Sequence, residues 1–225
     1  MAPMSSIESK PTSASKPNGD AEPRDIALDR QRRILLEVAA RSIATGLECG
    51  RPLELDPVDY PEPLRAIRAT FVTLERDGAL RGCIGVLDAF RPLVEDVARN
   101  AFAAAFQDPR FARLQPEECP RLTIKISVLT PPEPLEFASQ SDLLDRIRPG
   151  IDGLILTEQG RRGTFLPSVW EQLPETASFL EHLKRKAGLP FGYWSDTLRV
   201  SRYTTKSFGG SFSDIDARIQ ARTPT

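Results

Sequence analysis

ATFVTLERDGALRGCIGVL, residues 69–87, decides the fold. Two runs rich in β-branched and other apolar residues flank Asp77-Gly78. An Asp-Gly pair accepts the two positive φ angles of the tight turn whose twist suits antiparallel strands. The stretch therefore predicts a β-hairpin turning at residues 77–78. Its second arm also raises the question of function. Cys83 stands in R-G-C-I-G, between Gly82 and Gly85, with Arg81 two positions earlier on the same strand face. Glycines inside a strand let a ligand or another backbone come close. Cys83 is then either a candidate catalytic thiol tuned by Arg81, or a small buried hydrophobe among glycines that admit a helix. Residue types alone favour the second reading.

Upstream of the hairpin, a helix is predicted from Asp25, with Ile34, Leu35, Val38, Ala39, Ser42 and Ile43 on one stripe and Gly50 as its stop. Downstream, Arg91-Pro92 opens a helix whose inner face is Val94, Val97, Ala98, Ala101, Phe102 and Ala105. Pro109 ends it near Gln107 or Asp108, because a residue before proline avoids the helical region. RLTIKISVLTPP, residues 121–132, alternates Leu122, Ile124, Ile126 and Val128 with Thr123, Lys125 and Ser127, a half-buried strand stopped by two prolines. Ser139 to Ile147 reads as a short helix with a Ser-x-x-Asp start. GLILTEQGRRGTFLP, 153–167, reads as a second hairpin with Arg161 and Arg162 in its loop. ASFLEHLKRKAGLP, 177–190, is a helix ended by Gly188, with Leu189 packing back on Leu183. TLRVSRYTTKSF, 197–208, is the last strand. Helices and strands interleave irregularly around two hairpins. The fold class is α+β, with a mixed or mostly antiparallel sheet flanked by helices.

The chain has 225 residues, 40% hydrophobic and 27% charged, enough for a core that needs neither disulfide nor metal. Its net charge is −1, so the basic excess of non-specific nucleic-acid binding is missing and nucleic acid is not an expected partner. No apolar run reaches the length of a membrane span, and the first 24 residues hold no secretory apolar core. Cys49, Cys83 and Cys119 are widely spaced and form no C-x-x-C pair, which suits a reducing cytoplasm. The one histidine, His182, excludes a His-rich metal site, and no metal or cofactor is expected. Residues 1–24, rich in Ser, Pro, Lys and Glu, read as a disordered tail. The domain is expected over 25–208, and 209–225 as a C-terminal tail that is loose or carries a short helix.

A second group of candidates is arginine-rich. DPRF supplies Asp108 and Arg110 at a helix end, and QGRRG supplies Arg161 and Arg162. Brought together with Arg81, these would form a cleft for a small anionic ligand, since guanidinium grips carboxylate or phosphate bidentately. Apart, they are solvated turn arginines and local ion pairs. QGRRG lacks the Gly-Lys-Ser/Thr ending of a phosphate-binding loop. Asp108, Asp152, Glu158 and Glu171 are candidate acids. No catalytic dyad is legible: a thiol nucleophile needs a base, and His182, beside Phe179 and Leu183, reads as a boundary residue. Phe165 and Trp170 read as core, while the turn with Phe191, Tyr193 and Trp194 is an interface candidate.

LRGCIG (80–85), AAFQDPRF (104–111), ISVLTPPEPL (126–135), RPGIDGLIL (148–156), RRGTFLPSVWEQLP (161–174) and FLEHLKRKAGL (179–189) occur in this order. Together they make the chain similar, over about residues 30–206, to the AMMECR domain family, whose prokaryotic members are called AmmeMemoRadiSam system protein A. The resemblance implies a two-lobed domain, with a larger sheet-containing lobe, a smaller lobe, and a cleft near the hallmark segment. It assigns no reaction. The system name implies work beside a Memo-like protein and a radical SAM protein, which would carry the chemistry. Related chains often have a cysteine in the helix before KAGL; HLKRKAGL has none, so a second-cysteine mechanism there is not expected. The expected function is an accessory, ligand-binding subunit, with the cleft at Arg81, Gly82, Cys83, Gly85, Asp108, Arg110, Arg161 and Arg162. The alternatives are a stand-alone enzyme using Cys83 with Arg81 and, more weakly, a nucleic-acid module using Arg161, Arg162 and Lys186.

Overall fold

The computed structural model describes residues 23–222. Of the tail expected over 1–24, residues 1–22 lie outside the described residues. In chain order the elements are α1 (Pro23–Cys49), α2 (Glu62–Arg65), β1 (Thr70–Arg76), β2 (Ala79–Gly85), α3 (Leu93–Phe106), β3 (Leu122–Leu129) and β4 (Glu133–Leu135). There follow α4 (Gln140–Arg146), β5 (Gly153–Glu158), β6 (Arg161–Phe165), α5 (Thr176–Lys186), β7 (Arg199–Tyr203), β8 (Thr205–Ser211) and α6 (Phe212–Gln220).

The Asp77-Gly78 hairpin forms as predicted, with φ of 52° and 80° at its two turn residues and Arg76 opposite Ala79. Its register shifts once. Leu74 faces Gly82 but Glu75 faces Leu80, so Arg81 is an extra residue bulged out of β2. The hairpin forms half of a four-stranded sheet in the order β2-β1-β3-β8. Val72, Leu74, Ile124 and Ile126 on one face pack under α1, α3 and α6, and the alternation read in RLTIKISVLTPP is the reason only that face is apolar. This is the larger lobe. A second sheet, β4-β7-β5-β6, packs on α4 and α5 around Leu154, Leu156, Val200, Phe179 and Leu183, with Trp170 stacked on Phe179 at 3.7 Å. Every pairing in both sheets is antiparallel.

The two lobes share one ribbon. The β3–β8 ladder ends at Leu129↔Thr205 and resumes as β4–β7, Glu133↔Arg202, in the other sheet. The single strand predicted over 197–208 is thus two strands. Pro131 and Pro132 have no N–H to continue the ladder. At the bend Thr130 N–H donates to the Thr204 carbonyl at 2.9 Å, and Thr204 N–H donates to Thr130 Oγ1 at 2.9 Å. A small core of Ala69, Leu129, Ile155 and Tyr203 fills the seam, and the Tyr203 hydroxyl donates to the Phe165 carbonyl at 3.1 Å.

Two further local readings change. Arg161 and Arg162 are not in a loop; they begin β6, and the turn is Gln159-Gly160, with φ of 47° and 77°. Of the two readings of the tail from 209, the short helix is the one found: the end of β8 leads into α6, and its Phe212 and Ile215 are buried in the larger core rather than loose. The end of α5 is as predicted: Gly188 sits at φ 78°, its N–H donates to the Arg185 carbonyl, and Leu189 N–H donates to that of Lys184.

Candidate functional site

β2 is an edge strand of the larger sheet, so half of its backbone groups have no strand partner. At Cys83 these groups are met by side chains. Cys83 N–H donates to Asp108 Oδ2 at 2.9 Å, and its carbonyl accepts from Arg110 Nη2 at 3.3 Å. Asp108 and Arg110 are themselves joined by two hydrogen bonds of 2.9 and 2.7 Å. The pair acts as a one-residue substitute for a neighbouring strand. It stands there because α3 stops at Phe106 before Pro109 and delivers Asp108 to the strand edge. Asp108 is 4% exposed, and the Arg110 guanidinium holds its carboxyl far below the usual carboxylate range. With its backbone turned outward, Cys83 places its side chain close to that of its β1 partner, and Thr73 Oγ1 lies 3.2 Å from Cys83 Sγ. Among the described residues Thr73 is the one hydrogen-bond partner of that sulfur.

The glycines around Cys83 are explained by packing. A Cβ on Gly82 would lie 2.1 Å from the Ala104 carbonyl oxygen of α3, and one on Gly85 2.3 Å from the Phe71 ring. What approaches β2 so closely is therefore α3 on one side and Phe71 of β1 on the other. Arg81 bulges toward the chain that follows α3. Its guanidinium takes Glu118 in a bidentate pair, 2.7 and 3.0 Å, and donates to the Ala112 carbonyl at 2.8 Å. Arg76 adds a second cation to Glu118 at 2.7 Å, and Glu118 is pulled down to about 2, chiefly by Arg81. Arg81 and Arg110 flank the Phe111 ring, at 5.9 and 5.4 Å from its centre.

Six of the eight expected cleft residues thus come together: Arg81, Gly82, Cys83 and Gly85 on β2, with Asp108 and Arg110 against Cys83. Arg161 and Arg162 belong to the smaller lobe. Arg161 donates to the Gly188 carbonyl, and Arg162 reaches back to Asp88, just after β2, with bonds of 2.5 and 2.8 Å that tie the lobes together. Lys186, exposed at the end of α5, lies over the Phe165 ring at 5.1 Å, and partial desolvation lowers its affinity for a proton. Asp152 is buried in a pair with Arg148, and Glu158 is buried beneath the Tyr193 and Thr197 hydroxyls, each at 2.8 Å. His182 is exposed on α5, in the other lobe from Cys83, with Nδ1 2.9 Å from the Ser178 carbonyl. Cys49 is exposed and Cys119 buried.

Sequence reading missed Glu118 and a buried network at the start of β1. Asp96 Oδ2 accepts from Thr70 N–H (2.9 Å), Thr70 Oγ1 (2.6 Å) and Asn100 Nδ2 (2.9 Å), and Arg91 lies 3.3 Å from its other oxygen. Its signal was present: Asp96 and Asn100, four apart, interrupt the apolar inner face of α3.

One concave feature joins both lobes. Ser127, Thr205 and Ser207, from the face of the larger sheet that the helices leave open, meet Leu166, Trp170 and Glu171 across a cavity of about 280 Å³. Ser127 and Ser207 share a hydrogen bond of 2.8 Å. Hydroxyls and one carboxylate in such a recess can bind a ligand; none of the eight expected cleft residues lines it.

Sequence and fold match one family. The AMMECR1 family model matches residues 36–208, which hold both sheets except the end of β8. The chain belongs to the AMMECR1 family. A protein from Methanothermobacter thermautotrophicus is 40% identical over 178 residues, 78% of this chain and 92% of that relative. One from Thermotoga maritima is 36% identical over 173 residues, covering 76% and 94%. The crystal structure of an uncharacterized protein from Pyrococcus horikoshii superposes with a TM-score of 0.69 at 35% identity, covering 79% of this chain and 90% of that one. The AMMECR1 domain is a family of unassigned function. No helix of the described residues is long and apolar enough to cross a membrane.

Proposed function

We propose that this AMMECR1-family chain is an accessory, ligand-binding subunit that works beside a Memo-like protein and a radical SAM protein. The observation that carries this reading is the use to which the hallmark segment is put. Arg81 is committed to Glu118, Arg110 to Asp108, and Gly82 to α3, while the only side chain bonded to the Cys83 sulfur among the described residues is a threonine. These residues build a frame, and the recess between the lobes offers a place for a ligand. The free thiols support a reducing, cytoplasmic setting. Purification of the tagged full chain from its own host, read by mass spectrometry, is expected to return both partners. Recovery as a monomer with neither overturns the proposal.

One observation favours the enzyme reading: Cys83 is only partly buried, with the Arg110 guanidinium on its own carbonyl. Iodoacetamide labelling of the folded chain across pH tests it. A thiol that labels no faster than a free cysteine at any pH removes it.

A further inference from the structure

A second, larger recess lies on the helix-covered side of the larger sheet. Its volume is about 730 Å³, within the range of cavities that hold small organic ligands. Its wall is the first half of α1, and its floor is apolar, with Leu35, Leu64, Leu93, Val128 and Phe208. Over this floor stand three cations, Arg32, Arg68 and Lys206, against one acid, Glu62.

Lys206 pairs with Val128 in the β3–β8 ladder, so it shares a sheet face with Val128 and Phe208, the face that α1 covers. It has no hydrogen bond or ion pair among the described residues. Arg32 stands on the α1 stripe between Leu28 and Leu35, four residues after one and three before the other. Its partner is Asp29, an exposed pair at 3.2 Å. The Arg68 guanidinium donates to the Ile67 carbonyl at 2.9 Å and meets no carboxylate. Three other arginines of the larger lobe each meet a carboxylate: Arg81 with Glu118, Arg91 with Asp96, Arg110 with Asp108. An inward lysine on an edge strand can also serve to block pairing with another sheet. That accounts for Lys206 on β8, but neither for two arginines on other elements nor for the recess they border.

We propose that this recess binds a small amphiphilic carboxylate, its apolar body on the Leu64–Phe208 floor and its carboxylate among Arg32, Arg68 and Lys206. Among the described residues Arg68 and Lys206 meet no carboxylate, and cations so placed beside apolar surface are stabilised by an anion that brings its own apolar area. The site is separate from the Cys83 edge and touches the cavity between the lobes only at Ser207, so it stands whether or not the accessory reading does.

Titration calorimetry of the full chain with octanoate, kept below its micelle concentration, tests the proposal. Saturable binding is expected, with octan-1-ol at least about tenfold weaker and octylammonium weaker still. Lys206→Glu and Arg32→Glu should each weaken octanoate about tenfold or more while the unfolding midpoint without ligand stays in place. Arg218→Glu, the same charge change on the exposed face of α6, should leave binding unchanged. No saturable octanoate binding, equal binding of octan-1-ol, or octanoate affinity indifferent to both reversals overturns it.

Discussion

At Gly82 one missing methyl group decides how close α3 lies to β2. Gly82→Ala would set a Cβ 2.1 Å from a backbone oxygen, which cannot swing away as a side chain could. The expected loss is about 2 kcal/mol or more in denaturant unfolding; an unchanged midpoint would show that the helix is not held there. The carboxylates make a second prediction. Arg81 holds Glu118 at about 2, and Arg110 holds Asp108 lower still, both below their unfolded values near 4. Their contribution is present above about pH 4 and is lost as pH falls through the folded values, on the order of 3 kcal/mol for Glu118. Asp96 runs the other way, because burial raises it. Stability measured from pH 5 to pH 2 should fall steeply in the parent chain. In Glu118→Gln it should start lower and fall less, and a parallel slope would contradict the assignment.

The element in question is the free edge of β2. The sequence shows why α3 must end at Pro109, and it placed Asp108 and Arg110 just beyond. It does not show that they would serve as a strand's missing neighbour, since Cys83 lies 25 residues from Asp108. Removing the carboxylate by Asp108→Ala leaves the Cys83 N–H without its partner and the Arg110 guanidinium with only the Cys83 carbonyl. A loss of about 2 kcal/mol is expected. More telling would be faster hydrogen exchange at the Cys83 amide, together with concentration-dependent association in sedimentation as the edge becomes available. Unchanged exchange would mean that the edge is protected by something else.

Across the whole molecule, the lobes are joined by a continuous ribbon and a packed seam rather than by charge. Arg162–Asp88 also crosses between them, but both side chains are well exposed, so Arg162→Ala should cost under about 1 kcal/mol. Tyr203 is 2% exposed between Ala69, Leu129 and Ile155, and Tyr203→Ala should cost about 3–5 kcal/mol. Both tryptophans, Trp170 and Trp194, belong to the smaller lobe, so their fluorescence follows it, while far-ultraviolet dichroism follows the long helices of the larger one. A shared ribbon predicts coincident transitions by the two probes in the parent chain. Separate transitions would mean that the seam does not couple the lobes.

By itself the sequence determined the local and periodic features. These are the turn at Asp77-Gly78, the stop at Pro109, the left-handed cap at Gly188, the alternating face of β3 and the α+β class. Each depends on dihedral preferences or on spacings within a few residues, and those are written in order along the chain. Tertiary structure alone decided the partners. Arg81 meets Glu118 37 residues on, Thr130 meets Thr204 74 residues on, and Arg162 meets Asp88 74 residues back. Composition could count these charges but not pair them, because which arginine finds a carboxylate depends on where two sheets bend toward each other. The same bend decided that the arginines expected to grip a ligand grip the protein instead, and that Arg68 and Lys206, which meet no carboxylate among the described residues, border a different recess.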